Sequence, residues 1–400
     1  MDFNLPPEND PRRLEIRAFF AANPRPTGRQ LAERGYTVPH WPRPWGLGAD
    51  PELQLIIDEE FDRAGLQAPA RLNPVALNNC AQSLLTHGTD AQRERLLPPA
   101  LAMEEKWCML FSEPSAGSDL GALRLTARRE GDHYVVRGQK IWTSLAHKAQ
   151  IGVLVARTNT SVPKHAGLSQ FLIDMNSPGI SVRPIIDMSG NENEYNEVFF
   201  DDVKIPADRL LGKEGDGWAL TMAQLQTERV ALSKAGAIWG SGPSARDLVS
   251  ELIASGGIDD PLIRDEAAKL YIEGEIIRLL AYRSLSDRMN AKPAGPEAAV
   301  RKMVAAPHGQ RIVDLAKRVQ GMSGLITGNG AFKRTNDGRH MFDDWDYAFW
   351  FNPAVTLGVG TQEVLKNVIS ERVLGLPREA DPTAKTPWAE LQKSKLKTAV

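Results

Sequence analysis

Apolar residues recur at spacings of three and four positions along the N-terminal quarter of the chain, which is the period of an amphipathic helix. The residues that set this period are Leu14, Ile16, Phe19, Phe20, Leu53, Ile56, Ile57 and Phe61. Clusters of Pro and Gly at 39–48 and 98–99 interrupt the pattern, because neither residue type continues a helix well. Residues 1–107 are therefore predicted to form an α-helical domain.

The pattern changes to short alternating apolar and polar runs between residues 108 and 211. These runs lie at 133–136, 151–155 and 170–173, and turn residues follow or precede them at 130–133 and 177–179. Short strands with frequent turns favour a small antiparallel barrel or sandwich. Residues 108–211 are therefore predicted to form a β domain.

Long helical periods return between residues 212 and 379. Four helices are predicted, at 218–237, 261–289, 297–320 and 362–373, with Gly240, Gly242 and Pro243 ending the first of them. Residues 380–400 are expected to form a loose tail. The predicted fold class is α+β, with an N-terminal α-helical domain, a middle antiparallel β domain and a C-terminal four-helix bundle.

Charge and hydropathy narrow the classes of partner. The chain of 400 residues has a formal net charge of -2, and its basic residues are spread out rather than gathered into the stripe that nucleic acid requires. Lys393, Lys395 and Lys397 are interpreted as a solvated terminus. No apolar run approaches the roughly 18 residues of a bilayer crossing, so no membrane span is expected.

The cysteines and histidines limit the cellular location and the kinds of cofactor that the sequence predicts. Cys80 and Cys108 are the two cysteines, and the N-terminus lacks a basic region followed by an apolar one, which together indicate a cytoplasmic protein. The seven histidines are isolated, and no His-x-x-x-His or Cys-x-x-Cys pair occurs, so no catalytic metal is expected. Difficult chemistry in such a chain requires an organic cofactor.

Two motifs lie where the helical pattern gives way to the β pattern. The stretch FSEPSAGSDL from Phe111 combines hydroxyl donors with a glycine, Gly117, that allows a close approach of the backbone to a ligand. Taken alone, it is equally compatible with a plain surface turn. The stretch GQKIWTS from Gly138 places Trp142 beside two hydroxyls at the end of a predicted strand, and taken alone this tryptophan is also compatible with a packing residue.

Together, the two motifs and their spacing resemble the acyl-CoA dehydrogenase family, in which a helical domain, a β domain and a helical bundle enclose FAD. Further matching stretches are EVFFDDVKIP from Glu197, GDGW from Gly215 and ERVLGLPRE from Glu371. The resemblance covers nearly the whole chain. It implies an FAD-dependent enzyme that removes two hydrogens from the α and β carbons of an acyl-CoA thioester.

The resemblance also implies roles for individual residues. The residues that match cofactor-binding positions are Phe111, Ser112, Gly117, Ser118, Trp142, Thr143, Ser144, Thr361 and Glu363. Among them, Trp142 is expected to lie against the isoalloxazine ring and Ser144 to bond near its N5 atom. Ser118, Arg229 and Val359 match substrate-binding positions.

The sequence departs from the family pattern at two places. Many members carry a Tyr-Glu-Gly-Thr loop whose glutamate removes the α proton, whereas this chain reads LGVGTQE from Leu357 and has Val359 at that position. The Arg-x-x-Phe-Gly motif, which helps to bind FAD across a subunit contact, is absent after the first predicted bundle helix. The binding of the adenine end of FAD therefore stays open.

Glu228 is the candidate base. Some branches of the family place the base on the first bundle helix, where this chain reads QLQTERVAL from Gln224, with Glu228 and Arg229 at the matching positions. The two charges interrupt a predicted apolar stripe, where burial is costly without a purpose. The stripe consists of Trp218, Met222, Leu225, Leu232 and Trp239. A structural ion pair at the edge of the bundle is the alternative interpretation.

The expected partners follow from the resemblance: an acyl-CoA substrate, an electron-transferring flavoprotein or a similar electron acceptor, and a homodimer or homotetramer, with a mixed oligomer as a further option. The stretches from Lys140, Lys164 and Leu357 are most similar to bacterial members that act on branched or ring-bearing acyl groups, including steroid-derived ones. The alternative function is a non-catalytic subunit that binds FAD or CoA in a mixed oligomer. A nucleic-acid-associated relative of the same fold is disfavoured by the charge distribution.

Overall fold

A computed structural model describes residues 6–188, 190–192, 194–231, 236–238, 241–289, 297–325 and 345–398. Within these ranges, the side chains at 70–71, 226–231, 236–238, 241, 282, 284–289, 297–298 and 394–398 lie outside the description. The chain divides into two compact units. The sheet unit comprises Phe3–Asp187, Asn191–Thr227 and Glu379–Val400, and the bundle unit consists mainly of Glu228–Arg378.

The N-terminal part of the sheet unit is helical, as the periodicity predicts. Its helices are α1 (Pro11–Ala22), α2 (Gly28–Glu33), α3 (Pro51–Arg63), α4 (Pro69–Leu72), a π-helical turn (Val75–Cys80), α5 (Ala81–His87) and α6 (Asp90–Leu101). Thr27 and Thr89 begin α2 and α6 with capping boxes, in which the hydroxyl accepts from the third helical N–H. Of the residues that predict α1, Ile16 and Phe20 are buried whereas Leu14 is half exposed.

One sheet follows the helices. Its strands are β1 (Trp107–Leu110), β2 (Thr126–Glu130), β3 (His133–Ser144), β4 (Ile151–Arg157), β5 (Leu168–Asp174), β6 (Ile180–Ile185), β7 (Tyr195–Pro206) and β8 (Leu210–Leu211). The order is β6-β7-β3-β2-β4-β5-β8, with β1 paired to β4. The predicted strands at 133–136, 151–155 and 170–173 are confirmed within β3, β4 and β5.

The sheet is mixed rather than purely antiparallel, which corrects the sequence-based prediction. Strand β1 pairs with β4 in parallel, with Trp107 opposite Ile151 and Leu110 opposite Leu154, and β2 meets β4 in parallel at Thr126. A parallel pair needs both faces covered, and every residue of β4 is buried. Ile151, Val153 and Val155 belong to one hydrophobic core, while Leu154 and Ala156 belong to another.

The bundle unit is built from long helices. They are α8 (Ala245–Ser255), α9 (Pro261–Met289), α10 (Glu297–Gln320), α11 (Trp345–Leu357) and α12 (Gln362–Val368), which continues as a π-helical turn (Ile369–Val373). The predicted helices at 261–289, 297–320 and 362–373 are confirmed, whereas α8 and α11 lacked a prediction. In the part of the chain that the structure describes, no helix is both long and apolar enough to cross a membrane.

The first predicted bundle helix is shorter than expected. Helix α7 spans Gly217–Ala231, and Gly236–Ile238 forms strand β9, which pairs with β10 (Ser241–Ser244), so the helix does not continue to Ala237. Gly236 costs about 1 kcal/mol relative to alanine in a helix and favours an interruption. Trp218 and Leu225 of the predicted stripe are partly buried against the core, and Leu220, Thr221 and Gln224 beside them are buried more fully. Leu232 and Trp239 lie outside the described residues.

The C-terminal segment is packed against the sheet unit, so the expectation of a loose tail is wrong. Helix α13 (Trp388–Thr398) begins at Trp388, whose N–H donates to Val162 O at 2.9 Å. Its indole is 6% exposed and lies under the guanidinium of Arg157, 3.9 Å from the ring centroid. A buried tryptophan paired with a cation contributes much more packing than a solvated terminus does, which the polar composition of the segment concealed.

Candidate active site

The two motifs that were separate in the sequence are joined at one end of the sheet. The N–H of Ile141 donates to Ser112 O at 3.0 Å, and the ammonium of Lys140 donates to Phe111 O at 2.9 Å. These bonds connect the residues after β1 to the C-terminal end of β3. The structure therefore brings the backbone of Phe111 and Ser112 to the two residues that precede Trp142.

Trp142 lies on a bulge in β3. Lys140 pairs with Val198 and Thr143 with Asn196, so β3 contains one more residue than β7 over this interval. Trp142 has φ of 59° and is 59% exposed, and its ring meets Tyr195 edge-on with 5.8 Å between centroids. A bulge re-aims a side chain, and a non-glycine residue with positive φ is uncommon. The indole is therefore presented outward and is not a core residue.

The two hydroxyl residues after Trp142 have different surroundings. Thr143 is 1% exposed, and its Oγ1 lacks a hydrogen-bond partner within the described residues. Its carbonyl accepts from Asn196 Nδ2 at 3.0 Å. Ser144 is hydrogen-bonded to Glu194, and burial raises the pKa of that carboxyl while the serine bond opposes the shift. Glu194 is therefore a titratable group beside a predicted cofactor residue.

A buried ion pair anchors this end of the sheet. The ammonium of Lys140, which is 0% exposed, donates to Glu113 Oε1 at 2.9 Å. The Glu113 carboxylate also accepts from the N–H groups of Arg124 and Leu125, at 2.6 and 2.9 Å. Burial lowers the pKa of Lys140 to about 8, and the charge of Glu113 opposes that shift. The pair connects the segments after β1, before β2 and at the end of β3.

The exposed part of the first motif is open to solvent. Gly117 and Ser118 are exposed, and a Cβ at Gly117 would meet no atom within 4 Å. Neither crowding nor a positive φ within the chain requires glycine at this position. Phe111, by contrast, is 6% exposed and belongs to the core beneath the motif.

The remaining predicted cofactor residues lie in the bundle unit. Thr361 begins α12, and its hydroxyl accepts from Val364 N at 3.3 Å. Backbone N–H and the Thr361 hydroxyl lower the pKa of Glu363, an exposed carboxyl in the first turn of α12. Thr361 thus has a structural role as a helix cap in addition to its predicted one.

Val359 lies in the connection between α11 and α12. It has φ of 60° and Gly360 has φ of 95°, so the connection turns through the left-handed region at two consecutive residues. The ammonium of Lys302, on α10, donates to Gly358 O and Gly360 O, at 2.8 Å each. Lys302 is 2% exposed. Left-handed φ is a true outlier for a β-branched residue such as valine.

Glu228 and Arg229 lie on the backbone of α7, on the helix that the resemblance implies. Their side chains lie outside the described residues, so their roles stay predictions. Sequence reasoning overlooked Lys140, Glu113, Glu194 and Lys302. Glu113 and Lys140 lie within the two motifs, so the sequence could have identified them. Lys302 could not be identified from its neighbours in the chain, because its partners follow it by more than fifty residues.

This end of the sheet, around Trp142, suits a flat aromatic cofactor such as FAD. It offers an exposed indole face at Trp142, a buried Thr143 hydroxyl that is unsatisfied within the described residues, and backbone held on both sides by hydrogen bonds. An aromatic wall with nearby directional donors is what a stacked ring system requires. The donor set therefore fits the cofactor.

Models of known families match almost the entire chain. The N-terminal, middle and C-terminal domains of acyl-CoA dehydrogenase match residues 9–104, 108–203 and 215–374. The chain belongs to the acyl-CoA dehydrogenase family. It is accordingly an FAD-dependent oxidoreductase with the helical, β and helical organisation that the sequence predicted.

Individual relatives agree with this assignment. Acyl-CoA dehydrogenase FadE34 of Mycobacterium tuberculosis is 36% identical over 87% of this chain, and the match spans 46% of that longer relative. Acyl-CoA dehydrogenase IpdE1 of the same organism is 35% identical over 89% of each chain. A solved structure described as the Tcur3481-Tcur3483 steroid ACAD is 26% identical, covers 95% of this chain and 100% of its own, and has a TM-score of 0.76.

Proposed function

We propose that this acyl-CoA dehydrogenase oxidises a bulky or branched acyl-CoA thioester to the 2-enoyl-CoA, with Glu228 as the base that removes the α proton. The observation that carries the proposal is the strained sheet edge at Trp142, because its exposed indole and the buried Thr143 hydroxyl suit a flat cofactor. Val359 supports Glu228 as the base, since valine cannot accept a proton where many family members carry glutamate.

Proton removal requires a base and a stabilised oxygen. The α C–H of a thioester is a weak acid, so the thioester oxygen must be stabilised as it becomes enolate-like. Glu228 supplies the base, and the family resemblance assigns the stabilising donor to the backbone N–H of the loop, which Val359 carries in this chain. FAD, when bound, supplies the acceptor for the β hydrogen, which leaves as hydride.

The sheet-edge residues orient the reactants. Trp142 provides a wall for the flavin, Ser144 a donor near its reactive edge, and Phe111 and Ser118 the side that faces the thioester. The family resemblance assigns Thr361 and Glu363 to cofactor binding and Arg229 to substrate binding. Holding reacting atoms at a fixed distance and excluding water is the contribution that such residues make to rate.

The substrate class rests on the size of the loop residues. Gly358 and Val359 occupy positions where many family members carry Tyr and Glu, and smaller side chains leave more room for an acyl group. The similarity to a protein described as a steroid ACAD favours ring-bearing acyl groups. We therefore infer that branched or polycyclic esters are preferred over linear ones.

The test of the base is Glu228→Gln in the FAD-loaded protein. Glutamine keeps the shape of the side chain but cannot take a proton, so flavin reduction by substrate in a single turnover should slow by about 10²- to 10⁴-fold. FAD content near one per chain and an unchanged melting temperature exclude loss of fold. Glu251→Gln on α8 is the matched control. A Glu228→Gln variant that reduces its flavin as fast as the parent would assign the base elsewhere.

The test of the substrate class is a panel of CoA esters measured as kcat/KM, which reports differential binding of the transition state. Linear butyryl- and octanoyl-CoA, isobutyryl-CoA and a polycyclic propanoyl-CoA cover the range. Branched and polycyclic esters are expected to have the higher values. A preference for the linear esters contradicts this part of the proposal.

A non-catalytic subunit is the second candidate function. Val359 favours it, and so does the pairing of two components in the name of the Tcur3481-Tcur3483 relative. A homodimer or homotetramer that passes electrons to an electron-transferring flavoprotein or a similar acceptor is the arrangement we propose for the catalytic case. Mass measurement and a turnover assay of the isolated protein separate the two, because an idle subunit binds FAD or CoA without turnover.

A further inference from the structure

The loop around Val359 is held by a buried cation. The ammonium of Lys302 donates to Gly358 O and to Gly360 O at 2.8 Å each, so its two acceptors are the carbonyls on either side of Val359. Lys302 is 2% exposed and lies on α10, one helix removed from the loop. Hydrogen bonds from a charged donor are roughly twice as strong as neutral ones, so this is a firm attachment.

The attachment fixes the direction of the loop amides. In a planar trans peptide the C=O and the N–H point to opposite sides. With Gly358 O and Gly360 O both turned to Lys302, the N–H of Val359 and the N–H of Thr361 are turned to the opposite side of the loop. The φ of 60° at Val359 is unfavourable for valine and persists only where the surroundings determine it. Lys302 contributes to those surroundings through its bonds to the carbonyls of both neighbouring residues.

We propose that Lys302 is a positioning residue for α-proton removal, because it holds the Val359 amide in the orientation that stabilises the thioester oxygen. This inference rests on the proposed function. Lys302 does not touch the reacting atoms in this scheme, and it acts through the loop. Its effect should therefore appear in the step that acidifies the α carbon and not in the affinity for FAD.

The variant is Lys302→Met, which keeps the length of the side chain and removes the donor. Misplacement of a positioned group by about 1 Å costs roughly 10² in rate, so kcat should fall by that factor while KM changes little. The matched control is Lys317→Met. Lys317 lies on the same helix, donates to Gly324 O at 3.0 Å and pairs with Asp346, so its substitution removes a carbonyl bond and an ion pair at residues other than those of the loop.

The deciding measurement is exchange of the α protons with D₂O in the 3-thia analogue of the best ester from the panel. Sulfur replaces the β carbon in this probe, so the α proton can be removed but no hydride can leave. We expect exchange at least ten times slower in Lys302→Met than in the parent, with Lys317→Met within about twofold, which is under 0.5 kcal/mol. Exchange in Lys302→Met within twofold of the parent overturns the proposal.

Two further measurements separate a loss of fold, and a failure of the proposed base, from the effect of Lys302. If Lys302→Met does not accumulate as folded protein, Lys302→Leu also removes the donor, and exchange at the parent's rate in that variant overturns the proposal. Glu228→Gln is assayed in parallel. Slow exchange in Glu228→Gln with normal exchange in Lys302→Met removes the inference and leaves the proposed function, whereas normal exchange in Glu228→Gln removes the proposed base.

Discussion

The ion pair between Lys140 and Glu113 gives the sharpest prediction about stability, and Lys140→Met is the change that tests it. The ammonium has 0% exposure and donates at 2.9 Å both to Phe111 O and to Glu113 Oε1. Methionine fills a similar volume without a charge. The substitution therefore leaves a buried carboxylate and a buried carbonyl without their cation and creates little empty space.

The expected cost follows from which groups lose a partner. Removal of one member of a buried pair typically costs about 3–5 kcal/mol, because the other charge stays buried and uncompensated. Glu113 retains the N–H groups of Arg124 and Leu125, which places the expected loss of unfolding free energy near the lower limit, about 3 kcal/mol. FAD retention should fall as well, since Phe111 and Ser112 lose one of their attachments to β3.

The assay is urea unfolding followed by tryptophan fluorescence, with the released FAD measured at each concentration. Lys164→Met is the matched control, because Lys164 pairs at 3.0 Å with Asp119 of the same motif, whose side chain is 56% exposed. An exposed pair contributes about 0–1 kcal/mol. If Lys140→Met lowers the free energy of unfolding no more than Lys164→Met does, the buried pair does not anchor the motif and the reasoning is refuted.

Two further predictions concern the same edge of the sheet. The pKa of Lys140 is about 8, below its ordinary value of 10.5, so the unfolded chain binds more protons than the folded one between these two values. The free energy of unfolding should therefore rise with pH across that window. Urea titrations should show this rise in the parent and not in Lys140→Met. Trp142→Ala should lower the free energy of unfolding by about 1 kcal/mol or less, because the indole is 59% exposed, while FAD content falls sharply. A large loss of stability with FAD retained would make Trp142 a packing residue.

Elements with a strong local period were predictable from the sequence. The long helices α9 and α10 and the strands β3, β4 and β5 follow their apolar patterns closely. The motif residues around Trp142 were also identifiable, since their types suit a cofactor wall. Local pattern was sufficient in these cases because each element buries one face through residues that lie close together in the chain.

Features that depend on distant partners were not predictable. The parallel pairing of β1 with β4 joins residues 44 positions apart, Trp107 with Ile151, and α13 is held by a contact between Arg157 and Trp388. The failure at Gly236–Ile238 is different, because a helical apolar pattern continued through a segment whose glycine favours a strand. The periodicity of a segment does not show which distant residues it will contact, so the β1–β4 pairing and the packing of α13 could not be predicted from local pattern.

Backbone strain and buried lysines occur together at the residues to which the proposed function assigns roles. Among the described residues, positive φ outside glycine occurs at Met103, Trp142, Leu145, Asp202 and Val359. Two of these residues lie close to a buried ammonium: Lys140, two positions before Trp142, donates to Phe111 O, and Lys302 donates to Gly358 O, next to Val359.

The magnitudes explain why the two features accompany each other. A residue in a sparsely populated backbone region costs about 1–3 kcal/mol, and a hydrogen bond from a charged group contributes about 1.5–3 kcal/mol. The two quantities are comparable, so one or two such bonds can hold a strained residue that would otherwise relax. Strain of this kind persists where the surroundings determine it, and next to Trp142 and Val359 those surroundings include the buried ammonium groups of Lys140 and Lys302.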